Sequence, residues 1–127
     1  VTLSTGQPPP LPPAHDGPPR LIVSRTRPPA VVDAIAARIG GVLVPMGSAG
    51  AKAMAVVRGE AEAYVHSGGQ YEWDSAAPVA VALACGLHAT RIDGSQLIYN
   101  NADPYLPDLL ICRPELAAVI LEVIAAA

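Results

Sequence analysis

Three features of the sequence predict an α/β fold with a mostly parallel sheet flanked by helices. Leu21-Ile22-Val23, Val42-Leu43-Val44 and Leu109-Leu110-Ile111 are apolar runs of strand length, each bounded by polar, Gly or Pro positions. Between and after them, apolar residues recur at helical spacing, as in Val32, Ile35, Ala36 and Ile39. Gly and Pro then fall where helices stop and start. Short strands that alternate with amphipathic helices favour a layered sheet with crossover connections.

Taken in order, residues 1–20 carry seven of the 14 prolines, centred on Pro8-Pro9-Pro10-Leu11-Pro12-Pro13, and read as a Pro-rich linker or extended arm. From Leu21 the texture changes to a folded lobe that runs to residue 127. Leu21 to Val23 forms the first strand, and Arg25-Thr26-Arg27-Pro28-Pro29 turns it into a helix over Val31 to Ile39, closed by Gly40-Gly41. Val42 to Val44 is a second apolar strand. Met46-Gly47-Ser48 leads into an Ala-rich helix from Ala49 to Arg58, with Ser48 as its N-cap and Gly59 at its end. Ala61 to Val65 predicts a third strand that ends in a Gly68-Gly69 loop. Asp74 or a neighbour starts a helix through Ala76, Val79, Ala80, Leu83 and Ala84, closed by Gly86, with Pro78 in or near its first turn, where a missing backbone donor costs least. Asp93-Gly94 is a turn dipeptide that predicts a hairpin between Leu87–Ile92 and Leu97–Tyr99. Asn100 to Pro107 reads as a polar loop, Leu109 to Ile111 as a further strand and Pro114 as the start of a final helix.

Composition narrows the function classes. The 127 residues suit one domain, or one lobe of a larger protein. The formal charge of -3, with 15% charged residues, provides no basic stripe for a nucleic-acid polymer. No run approaches the roughly 20 apolar residues of a membrane span, and a cytoplasmic location is expected. Cys85 and Cys112 lack metal or redox spacing and read as buried free thiols.

The polar, Gly-rich stretch from His66 to Tyr71, followed by Glu72-Trp73-Asp74-Ser75-Ala76-Ala77, is the place to seek chemistry. Together with Ser24-Arg25 after a strand, Gly47-Ser48 at a helix start and Lys52 one turn on, Trp73-Asp74-Ser75-Ala76-Ala77 resembles the C-terminal half of the inositol monophosphatase superfamily. The likeness covers residues 20 to 124 and lies nearest the CysQ-type 3′(2′),5′-bisphosphate nucleotidases. It implies the C-terminal lobe of a layered sandwich and the C-terminal part of a Mg²⁺-dependent phosphomonoesterase. Its substrate would be the small phosphate ester 3′-phosphoadenosine 5′-phosphate, with inositol-1-phosphate or fructose-1,6-bisphosphate as alternatives.

By resemblance Asp74 is a magnesium ligand that also faces the substrate, and Ser48, Lys52, Ser24, Arg25 and His66 bind substrate. From the residues alone Asp74 is equally a helix N-cap, Ser48 a cap and Lys52 a solvated surface charge. The sequence departs from the branch at Arg27, where His is usual, at His66, where Arg is frequent, and at Pro78, where Gly is usual. One extra residue separates Ser48 from Lys52. The acidic Glu-Glu helix and the Asp-Pro-x-Asp-Gly-Thr strand end of the family are absent, so the resemblance places no catalytic residue in this chain. A missing N-terminal lobe is the expected partner, and the apolar surface it leaves uncovered should promote homodimerisation. A reading from another class stays open: a catalytically inactive half-enzyme that acts as a binding or assembly module.

Overall fold

The computed structural model describes residues 17–24, 31–47, 49–71, 76–95 and 105–126. The elements follow the order β1 (Arg20–Ser24), α1 (Val31–Ile39), β2 (Val42–Met46), α2 (Ala49–Val57), β3 (Ala63–Tyr71), α3 (Ala76–Ala84), β4 (His88–Thr90), β5 (Tyr105–Cys112) and α4 (Pro114–Ala126). The expected α/β layering is therefore present. Two of the helices have a local reason to stop: α2 and α3 end at Gly59 and Gly86, whose φ angles of 76° and 89° suit a residue without a Cβ. The next N–H in each case reaches back five residues, Glu60 to the Ala55 carbonyl and Leu87 to that of Ala82, which satisfies carbonyls the helix end leaves open.

The five strands form one sheet in the order β2-β1-β3-β5-β4. β1 pairs in parallel with β2 and β3, whereas β5 pairs antiparallel with both β3 and β4. Four strands thus run one way and β5 alone runs the other, so the sheet is mixed. Side chains alternate across it. Leu21, Val23, Ala63, Val65, Leu110 and Cys112 pack with Val32 and Ile35 of α1 and Ile120 of α4. Ile22, Tyr64, Leu109 and Ile111 pack on the other face with Val56 of α2 and Val79 and Ala82 of α3.

Two local expectations change, and a third is met in part. The third strand does not end at Gly68-Gly69 but runs to Tyr71, because β5 continues to pair beside it at Gln70↔Leu106 and Tyr71↔Tyr105. Between Ser67 and Gln70, β3 advances three residues while β5 advances two, so one extra residue is absorbed as a bulge. The Asp93-Gly94 turn forms, with the Gly94 N–H donating to the Arg91 carbonyl, but β4 finds its partner in β5, and Leu97–Tyr99 lie outside the described residues. Tyr105 to Pro107, expected as loop, begin β5. The strand over Val42–Met46 is an edge strand, with Val42 and Leu43 47% and 39% exposed. Val42 N–H donates inward to the Pro19 carbonyl, so by alternation the Pro45 nitrogen faces outward, where no ladder bond is lost.

Both cysteines are free and buried. No helix among the described residues is long and apolar enough to cross a membrane.

Candidate functional site

The topology itself marks one edge of the sheet. β1 hands the chain to α1 on one face, while the neighbouring β3 hands it to α3 on the other. A crevice therefore opens beyond the carboxyl ends of β1 and β3, the place where open α/β sheets bind ligands. Ser24 ends β1 and lies opposite Met46, the last residue of β2. Ile22 pairs with Tyr64, so two residues further along Ser24 and His66 occupy the same edge and the same face, towards α2 and α3.

Lys52 enters this face from the first turns of α2. The chain holds eight Lys and Arg together. Seven are arginines, at positions 20, 25, 27, 38, 58, 91 and 113, so Lys52 is its single lysine. Its residue is only 6% exposed, which overturns the surface-charge alternative. The Lys52 ammonium stands 5.5 Å from the centroid of the Tyr64 ring, within cation–π range. Among the described residues no carboxylate pairs with it, and burial pulls its pKa below the usual lysine value. Tyr64 in turn lies against His66, with ring centroids 6.3 Å apart and planes inclined by 52°.

Ser24, Lys52 and His66, three of the expected substrate-binding residues, are thus brought to one corner by β1, α2 and β3. Arg25, Ser48 and Asp74 lie outside the described residues, directly after β1, directly before α2 and between β3 and α3. Sequence reasoning passed over Tyr64, although its i, i+2 spacing from His66 on a strand puts both rings on one face. It also passed over Asp108, on β5 opposite Ser67. Asp108 accepts from Arg91 Nε and Nη2 at 3.1 and 3.0 Å and from the Ile92 N–H at 3.1 Å. That bidentate pair locks the end of β4 against β5 at the same edge of the sheet.

No group of three or more His, Cys, Asp or Glu side chains is placed to hold a metal ion among the described residues. The described part of the crevice provides an ammonium, an imidazole and a hydroxyl, which is a donor set for an anion and not a magnesium cage.

Residues 22–126 match the profile of the Inositol monophosphatase family. The chain belongs to that family. Over 106 residues it is 59% identical to a Mycobacterium bovis protein named 3′-phosphoadenosine 5′-phosphate phosphatase. The match takes in 84% of this chain and 40% of that protein. The fold resembles the crystal structure of CysQ from Bacteroides thetaiotaomicron, a bacterial member of the inositol monophosphatase family, with a TM-score of 0.68 and 26% identity. That likeness covers 82% of this chain and 40% of the other. A second solved structure, an IMPase/NADP phosphatase complexed with Mg²⁺ and phosphate, superposes with a TM-score of 0.71 at 19% identity, over 93% of this chain and 44% of the other. This family member therefore spans about two fifths of the length of its relatives.

Proposed function

We propose that the chain is the C-terminal part, from residue 21 onward, of a phosphomonoesterase that hydrolyses 3′-phosphoadenosine 5′-phosphate to AMP and phosphate. The observation that carries this reading is the 59% identity to the mycobacterial phosphatase across 84% of the chain. The corner where Ser24, Lys52 and His66 meet supports it. A phosphate ester provides the counter-charge that a buried ammonium requires. Ser24 and His66 offer polar contacts to the same group, with Ser48 and Arg25 as the adjoining substrate contacts.

Asp74 is the one carboxylate of this chain assigned to Mg²⁺, its role resting on the Trp73-Asp74 motif. The ion, when bound, neutralises phosphate charge and acidifies water. A single carboxylate does not hold such an ion alone, so the remaining ligands come from the part of the relatives that this chain does not span. The outer face of α2 and α3 supports a docking role for that part. Ala77, Ala80, Leu83 and Ala84 of α3 are exposed, Leu83 by 53%, and α3 carries no charged residue. The outer faces of α1 and α4, by contrast, carry Asp33, Arg38, Glu115 and Glu122. In this reading the isolated chain is an inactive half-enzyme. The two free buried thiols suit a reducing, cytoplasmic setting.

The test is phosphate release from 3′-phosphoadenosine 5′-phosphate, inositol-1-phosphate and fructose-1,6-bisphosphate. It uses this chain alone and joined to the N-terminal portion of its mycobacterial relative. Turnover should appear only in the joined protein, only with Mg²⁺, and fastest on the nucleotide. Asp74→Asn should lower kcat by about 10²-fold or more, as expected of losing charge stabilisation at the reacting group. Normal activity of that variant would remove Asp74 from the site.

A further inference from the structure

We propose that Tyr64 is a positioning residue for phosphate recognition: its ring face holds the Lys52 ammonium charged and aimed at the crevice while its flank fixes the His66 ring. The inference rests on the reading of Lys52 as a phosphate-binding group. It adds a residue that neither the motifs nor that reading includes.

A lysine ammonium taken out of water without a counter-charge tends to lose its proton, and Lys52 is 6% exposed with no carboxylate partner among the described residues. The helices and strands around it bring little else that titrates. α3 carries only apolar side chains from Ala76 to Ala84, with Cys85 just beyond. β3 brings Tyr64 and His66, and β5 brings Leu109 and Ile111. The negative face of the Tyr64 ring, 5.5 Å away, is the described feature that favours the charged form.

Tyr64 is also rigidly held. It is fully buried on β3, the central strand of five, so its ring has little room to move. The same ring borders His66 at 6.3 Å. One side chain therefore spaces two ligand-facing groups that arrive on different elements, and the alternative, that Tyr64 only fills the core, predicts no effect on the titration of Lys52.

The experiment exploits the single lysine. In the full 127-residue chain, the ¹³Cε–¹⁵Nζ signal of Lys52 is followed by NMR against pH in the native sequence, Tyr64→Phe and Tyr64→Leu. Tyr64→Phe should titrate within a few tenths of a unit of the native protein, because the ring face remains. Tyr64→Leu should titrate about one unit lower, a tenfold loss of proton affinity. Inorganic phosphate is then titrated at a pH midway between the Lys52 midpoints of the native and Leu proteins: Tyr64→Leu should bind about threefold more weakly, and Tyr64→Phe like the native chain. Identical Lys52 titration in the native and Leu proteins would overturn the proposal. If Tyr64→Leu does not fold, pentafluorophenylalanine at position 64 replaces it, since it keeps the shape of Phe and reverses the ring-face charge; an unchanged Lys52 titration there is equally fatal. Absence of phosphate binding by the native chain would count against Lys52 as a phosphate group, while the lysine titration would still decide the role of Tyr64.

Discussion

Glu62→Ala should destabilise the fold by about 2–4 kcal/mol, and the magnitude can be built from its contacts. Glu62 is 5% exposed and sits just before β3, at the end of the sheet opposite the crevice. Its Oε1 accepts from the Arg20 backbone N–H at 2.7 Å and from Arg20 Nε at 2.9 Å. Its Oε2 accepts from Arg20 Nη2 at 2.8 Å. The backbones are tied as well, Glu62 N–H to the Arg20 carbonyl and Arg113 N–H to the Glu62 carbonyl. Truncation to Ala keeps these backbone bonds but orphans the Arg20 N–H, at a cost of about 1–3 kcal/mol.

The guanidinium loses its bidentate partner in the same variant. Breaking a buried pair costs about 3–5 kcal/mol, but the Arg20 side chain is 27% exposed and keeps a bond to the Gly59 carbonyl, so water recovers much of that term. With a urea m-value of about 1–3 kcal/mol/M, the unfolding midpoint followed by circular dichroism should fall by about 1–3 M. Glu62→Gln, which keeps an acceptor for the N–H, should cost roughly half as much. A loss below about 1 kcal/mol, or an Arg20→Met background in which Glu62→Ala costs just as much, would refute the clasp.

Four further outcomes follow from single features. Gly41→Ala should cost about 1–2 kcal/mol by denaturation, because an added Cβ would stand 2.9 Å from the Pro19 carbonyl oxygen that accepts the first bond of β2. His88 lies with Nε2 2.8 Å from Thr90 Oγ1, and burial lowers its pKa from the usual 6.5. Its contribution is therefore present above pH 6.5 and is lost as pH falls through the lowered value, so His88→Gln should flatten the stability–pH curve below 6.5. Cys112, pushed up to about 12 by burial, and Cys85, raised for the same reason, should resist iodoacetamide in the native chain and react on unfolding, as mass spectrometry would show. Pro45→Thr should restore an outward N–H on an exposed apolar edge and increase self-association in sedimentation velocity.

Much of the fold could be read from the residues because its signals are local. The Gly59 and Gly86 stops, the Pro114 start and the apolar stripes of α1 and α4 depend on the few residues around them. What escaped reading depends on distant partners. Val42-Leu43-Val44 has the same texture as Leu21-Ile22-Val23, yet one run lies at the edge and the other inside, because nothing in an apolar run states how many neighbours it has. Gly68-Gly69 suggested a loop, and only the second strand of a bulged pair keeps it extended. The direction of β5 is seen only in its antiparallel pairing with β3 and β4, which Leu109-Leu110-Ile111 by itself does not state. In the site, the family resemblance picked Ser24, Lys52 and His66, which the fold brings to one corner. Burial is a property of the packed layers, so the residues alone left Lys52 open to reading as a surface charge and gave no reason to single out Tyr64.

The uncharged outer face of α2 and α3 has a mechanical consequence. These two helices begin at the crevice and lean on the sheet along one side only, so whatever settles on their other side also sets their tilt. A displacement of that covering layer would be transmitted along two stiff rods to the point where they meet the ligand, with Lys52 riding on one of them. On the proposed reading docking and alignment would be a single event, and a chain half clothed would still bind an anion at that corner, only less tightly than the covered form.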